Sequence, residues 1–217
     1  MRRVLVLLTL CVASVAALAA PVPTNLLVNG SFEATPVGAG SWTQVNSLPG
    51  WTWMAGPGTG FEVRNNVAGA AQDGSNYLEL DTDGNTSIGQ TLNGLVAGLA
   101  YDLSFWYAPR EFQPAATNGI QVYWNGLQLG GTLTADGGAG NLWSEHRFSV
   151  VAQSGANVLS FSAVGRSDTL GGNLDNVRLS QRVPEPGSLA LTLTALASLV
   201  LLHRALRRRP RRALVRR

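Results

Sequence analysis

The chain has 217 residues, 13% of them charged, with 25 glycines and a formal net charge of +3. That composition suits short strands and tight turns, and it argues against a helical bundle or coiled coil, which needs Ala, Glu, Lys and Leu at helical period. All 16 basic residues are arginine, and there are only 2 histidines and 1 cysteine, which excludes lysine chemistry, a multi-histidine metal site, an intrachain disulfide and a cysteine metal cluster.

Arg2 and Arg3 precede an apolar run from Val4 to Leu18, and Ala17-Leu18-Ala19 fits the small-residue cleavage rule. Residues 1–20 therefore read as a secretory signal peptide, handled by the export machinery and signal peptidase. The alternative is an uncleaved anchor, which the Ala-rich end and Pro21 disfavour. Leu10 stands where a lipoprotein signal would need a small residue before Cys11, so lipidation is not expected.

Residues 21–183 hold six Arg against twelve Asp or Glu, so this stretch is acidic, and nucleic-acid binding is not expected of it. Apolar residues alternate at Leu78 and Leu80, at Tyr101, Leu103, Phe105 and Tyr107, at Ile120, Val122 and Trp124, and at Leu159, Phe161 and Ala163. Turn dipeptides separate the runs, and Asn125-Gly126 marks a hairpin between Ile120–Trp124 and Leu127–Leu129. The expected fold is all-β, an antiparallel β-sandwich of one domain. Asp81-Thr82-Asp83-Gly84-Asn85 starts like an EF-hand loop, but Leu92 stands where the bidentate Glu should, so a hairpin turn is the better reading.

An enzyme is not expected. Glycosidases need two carboxylates across a cleft, and the sequence does not pair Glu62, Glu79, Glu111 or Glu145. Glu145 and His146 are adjacent in a strand and point to opposite faces. His146 is expected to be a surface residue. Trp51 and Trp53 are expected to plug the core. Trp106 and Tyr123 lie opposite their strands' core-like faces, and Gln121 shares the face of Tyr123. These three form the candidate ligand-binding set, because sugar rings stack on aromatic faces and exchange hydrogen bonds with amides. The alternative is packing beneath loops.

The domain begins Asn25-Leu26-Leu27-Val28-Asn29-Gly30-Ser31-Phe32-Glu33 and ends Leu174-Asp175-Asn176-Val177-Arg178-Leu179. Between them lie Pro49-Gly50-Trp51, Gly89-Gln90-Thr91-Leu92 and Gly98-Leu99-Ala100-Tyr101. This order is similar to galactose-binding-like jelly rolls, a group that includes many carbohydrate-binding modules. The resemblance implies two sheets with adjacent termini and a structural calcium ion where the first and last strands meet. Alternation puts Asp175 on one face with Val177 and Leu179, and a buried carboxylate needs a partner or a metal. Glu33 and Asp175 are the expected calcium ligands, with Ser31 a weaker third. The alternative is an Asp capped by backbone N–H groups and a surface Glu.

At the C-terminal end Pro184, Glu185 and Pro186 lead into an apolar stretch over 187–203 and then an Arg-rich tail. The stretch is at the short end of what spans a bilayer, and the arginines would stay cytoplasmic. Residues 184–217 resemble the PEP-CTERM sorting signal. That resemblance implies a Gram-negative bacterium that makes exopolysaccharide, an exosortase partner, an inner-membrane intermediate, and a destination at the cell surface or in the extracellular matrix. The expected function is non-catalytic binding, of polysaccharide in the first reading; the alternative is a structural biofilm protein with no defined ligand.

Overall fold

The structure is a computed structural model and describes residues 24–182, 195–200 and 203–204. Its strands are β1 (Ser41–Val45), β2 (Thr52–Ala55), β3 (Phe61–Asn65), β4 (Asn76–Glu79), β5 (Ser87–Leu92), β6 (Ala100–Ala108), β7 (Gly119–Trp124), β8 (Leu127–Gln128), β9 (Ser144–Val151), β10 (Asn157–Val164) and β11 (Asn173–Gln181). They form a 6-stranded sheet in the order β1-β3-β4-β11-β6-β9 and a 5-stranded sheet in the order β2-β5-β10-β7-β8. Every strand pairing is antiparallel. The expected all-β antiparallel sandwich is the fold observed.

Period-2 alternation builds the core, because successive side chains in a strand point to opposite faces. Leu103 and Phe105 from β6, Ile120 and Val122 from β7, and Leu159 and Phe161 from β10 are all 0% exposed and share one cluster. Trp51 joins it, its ring 6.1 Å from Phe161 and 5.6 Å from Phe32. Between β7 and β8, Asn125 (φ 51) and Gly126 (φ 80) both take left-handed dihedrals, the conformation that a two-residue hairpin turn requires.

The domain's two ends lie side by side. Leu26 N–H donates to Leu179 O at 2.7 Å. The Asn25 amide donates to Val177 O at 3.0 Å, and its Oδ1 accepts from Leu179 N–H at 2.9 Å. Gly30 packs against the same strand so closely that a Cβ would lie 2.0 Å from Val177 O. The small residue in the Asn29-Gly30 pair is thus a requirement of close approach.

Two expectations about side chains need correction. Trp53 is 43% exposed rather than a core plug, because β2 is an edge strand, and its Nε1–H donates to Gly58 O at 2.9 Å. His146 faces inward rather than out. Its register partner is Phe105, and the two rings stack at 5.6 Å. Burial lowers the pKa of His146 below its ordinary value.

Residues 195–200 and 203–204 are helical and exposed. Among the described residues no helix is long and apolar enough to cross a membrane. The signal peptide expected at 1–20, most of the apolar stretch over 187–203, and the expected sorting motif Pro184, Glu185 and Pro186 lie outside the described residues.

Candidate functional site

Glu33 and Asp175 are far apart in sequence, yet both close on one loop, Gln72–Asn76. Asp175 Oδ2 accepts from the N–H groups of Gln72 at 2.8 Å and Asp73 at 3.0 Å, and its Oδ1 accepts from Asn176 N–H at 2.6 Å. Glu33 Oε1 accepts from Ser75 N–H at 2.8 Å and Asn76 N–H at 2.6 Å. Ser31 sits half-buried in the turn before Phe32.

Asp175 does not share the core face of Val177 and Leu179. It pairs with Trp106, whose side chain points away from the core, and the register shifts before Arg178 pairs with Ser104. Asn176, in the left-handed region at φ 45, is the extra residue of this bulge. Asp175 is therefore on the outer face of the six-stranded sheet, and it is 0% exposed because the Gln72–Asn76 loop covers it. Burial raises its pKa from 3.8 to about 7, while the N–H groups of Asp73, Asn176 and Gln72 pull the other way.

Each of the two carboxylates keeps an oxygen that could serve a cation. Glu33 Oε2 and one lone pair of Asp175 Oδ1 are not engaged by the N–H groups above, and calcium favours such oxygens. The remaining lone pairs are taken by amides. Among the described residues no group of three or more His, Cys, Asp or Glu gathers in a metal-holding arrangement.

Further along this outer face stand the acids weighed for catalysis. Glu62 and Glu79 are direct cross-strand partners. They are only 6% and 0% exposed, so a polymer chain does not reach them. Arg64 pairs with Glu62 at 2.8 Å, and Arg110 with Glu79 Oε2 at 3.4 Å. Burial pushes the Glu79 carboxyl well up, the Glu62 charge adds to this, and Arg110 opposes it. Two loops form the cover: Trp143 meets Tyr77 edge-on at 5.6 Å and donates to Ala70 O at 2.9 Å. Glu145 is paired with Arg147 at 2.6 Å. The Asp81–Asn85 segment is a turn closed by a bridge between its ends.

The three expected ligand-binding residues do not form one surface. Trp106 is half-buried on the outer face of the six-stranded sheet, between Asp175 and Glu145. Tyr123 and Gln121 are half-buried on the outer face of the five-stranded sheet. These two do act together: Tyr123 O–H donates to Gln121 Oε1 at 2.5 Å, and Gln121 Nε2–H donates to Thr132 Oγ1 at 2.9 Å.

The register puts small residues beside this pair. One row runs Gly89, Ser160, Tyr123, Gln128 and the next runs Ser87, Ser162, Gln121. The hydroxyls of Ser87 and Ser162 are hydrogen-bonded to each other. Met54, 47% exposed, lies over Gly89: its sulfur would be 2.3 Å from a Cβ built there. A low strip of small side chains thus runs between Met54 on one flank and Tyr123 with Gln121 on the other.

Charge divides between the sheets. The five strands of the smaller sheet contain no Asp, Glu, Arg or His. The larger sheet carries Glu62, Arg64, Glu79, Asp102, Glu145, His146, Arg147, Asp175 and Arg178. The neutral strip offers hydroxyls and an amide, which both donate and accept, beside one phenol ring. No sequence signal read along a single strand distinguishes this face, because it exists only once five segments are paired.

No family model matches the chain. It is 33% identical over 153 residues to the multifunctional-autoprocessing repeats-in-toxin of Vibrio cholerae serotype O1 (strain ATCC 39315 / El Tor Inaba N16961), and 32% identical over 155 residues to that of Vibrio vulnificus. Each match covers 70% of this chain, which spans 3% of the length of those curated relatives. Among solved structures it is similar to TmCBM61 in complex with β-1,4-galactotriose, at 20% identity and a TM-score of 0.48, over 73% of this chain and 99% of that one. It is also similar to a family 16 carbohydrate-binding module, at 17% identity and a TM-score of 0.48, over 72% of this chain and 100% of that one.

Proposed function

We propose that residues 21–183 form a non-catalytic carbohydrate-binding domain whose ligand lies on the outer face of the five-stranded sheet. The observation that carries this reading is the uncharged strip of Ser87, Ser160 and Ser162, half-buried between Met54 and the hydrogen-bonded Tyr123 and Gln121 pair. A sugar presents C–H faces that pack on a phenol ring, and hydroxyls that exchange hydrogen bonds with Ser and Gln. The non-catalytic reading is supported by the burial of Glu62 and Glu79, cross-strand partners that lie beneath loops.

The chain's ends belong to the same proposal as delivery signals. Residues 1–20 direct export, and Pro184, Glu185 and Pro186 with the Arg-rich tail present the protein to an exosortase. The domain is then held at the cell surface or in the matrix, where exopolysaccharide is its ligand. Calcium at Glu33 and Asp175 would fasten the Gln72–Asn76 loop against the six-stranded sheet, away from the proposed sugar-binding face, and would serve stability only.

Glycan microarrays probed with the full-length chain and its Tyr123→Ala variant test the binding. The expected result is saturable retention by the wild type that falls at least tenfold in the variant. Retention unchanged in Tyr123→Ala would rule out this face, and no retention at all would leave a structural matrix role.

A further inference from the structure

The chemistry of the strip also selects among polysaccharides, an inference that rests on the binding reading above. We infer that the face takes an uncharged polysaccharide and rejects glycans that carry carboxylate, sulfate or phosphate groups. The strip between Met54 and Tyr123 contains no cation, and none of the five strands that build it supplies one. A carboxylate or sulfate set against it would lose hydration without gaining a charged partner, which is unfavourable. At longer range the domain's surplus of acids, twelve against six Arg over residues 21–183, repels polyanions.

The hydrogen bonds on the face point the same way. The Tyr123 O–H donates to Gln121, and Gln121 donates to Thr132. That relay leaves lone pairs on the Tyr123 oxygen at one end and the Thr132 O–H proton at the other. A pair of neighbouring sugar hydroxyls, one donating and one accepting, matches both ends. An anionic group accepts only, so it could take the Thr132 O–H proton but would leave the lone pairs of the Tyr123 oxygen without a donor. Arg147 and Arg178 stand on the other sheet, Arg182 pairs with Asp102 of that sheet, and Arg166 lies in the loop beyond the end of β10.

The test immobilises neutral polymers (galactan, xyloglucan, mixed-linkage β-glucan) and acidic ones (alginate, polygalacturonate) and measures retention of the full-length chain. Tyr123→Ala and Ser160→Arg are run beside the wild type. Both side chains face outward, and melting curves verify that each variant folds. The expected result is retention on at least one neutral polymer, at least tenfold weaker retention on the acidic ones, and loss of the neutral signal in both variants. Wild-type retention on an acidic polymer that disappears in Tyr123→Ala would overturn the selectivity while leaving the binding face in place. Retention on any polymer that survives both substitutions would overturn the binding face itself, and so would a lack of retention on all of them.

Discussion

Replacing Asp175 by asparagine makes a pH-dependent change in stability whose size the structure sets. The Asp175 carboxyl titrates at about 7 in the folded domain, against 3.8 as the ordinary value, because burial disfavours its charge more than three N–H groups favour it. The folded state therefore binds this proton more tightly than the unfolded chain does. The associated stability is fully present below pH 3.8 and is lost as pH rises to about 7. At about 1.4 kcal/mol per tenfold, the displacement is worth on the order of 4 kcal/mol. The variant titrates nothing at this position. Its amide oxygen can still accept from Gln72 and Asp73, and its NH₂ meets the Asn176 N–H at a pH-independent cost. Glu79, Asp81 and His146 titrate in both proteins and cancel in the difference. Urea unfolding with EDTA, from about pH 4 to pH 8, should show the stability of wild type relative to variant falling by on the order of 4 kcal/mol. In melting temperature this is roughly 8–16 °C for a domain of this size. A difference that stays flat, or that grows with pH, would refute the account of a carboxyl whose charge is opposed by burial.

Calcium bound by Glu33 and Asp175 would favour the ionised carboxylate, so adding calcium should raise the melting temperature more at pH 8 than at pH 5; an unchanged melting temperature with EDTA and with calcium removes the ion from the site. Gly30→Ala would force a Cβ to within 2.0 Å of the Val177 carbonyl oxygen, a backbone atom that cannot swing aside. It should cost about 2–3 kcal/mol in urea unfolding. Trp106→Ala should leave glycan retention intact, because Trp106 is on the sheet opposite Tyr123; a loss matching that of Tyr123→Ala would move the ligand to the six-stranded sheet.

Local pattern carried much of the fold. Alternation at Tyr101–Tyr107 and Leu159–Ala163 reports the buried face directly, and Asn125-Gly126 makes a turn that few other pairs permit. What alternation cannot show is a residue that breaks it. Asn176 adds one position to β11, so counting by twos from Val177 puts Asp175 on the wrong face. Nor can alternation show which strands share a sheet. Trp106 and Tyr123 look alike in their own strands, but β6 and β7 join different sheets, and long-range pairing alone decides this. Burial of Glu62, Arg64, Tyr77 and Glu79 escaped for a third reason: loops distant in sequence cover what would otherwise be a solvated face. That Glu33 and Asp175 hold different amides of one loop, residues 72–76, was not legible, because backbone N–H groups carry no side-chain signature.

The adjacency of the domain's two ends bears on how such a unit travels between proteins. Asn25 holds Val177 and Leu179 with its side chain, so the chain enters and leaves within one hydrogen-bonded step. A host protein need open only a short gap in a surface loop to accept the whole domain, and its own two flanking segments stay almost where they were. The same geometry should tolerate circular permutation, with a brief linker joining residues near 24 and 182 and new termini cut at the Asn125-Gly126 turn. A unit of this kind can be shuffled as a cassette into chains many times its length, and the stretch that resembles it occupies 3% of each Vibrio toxin.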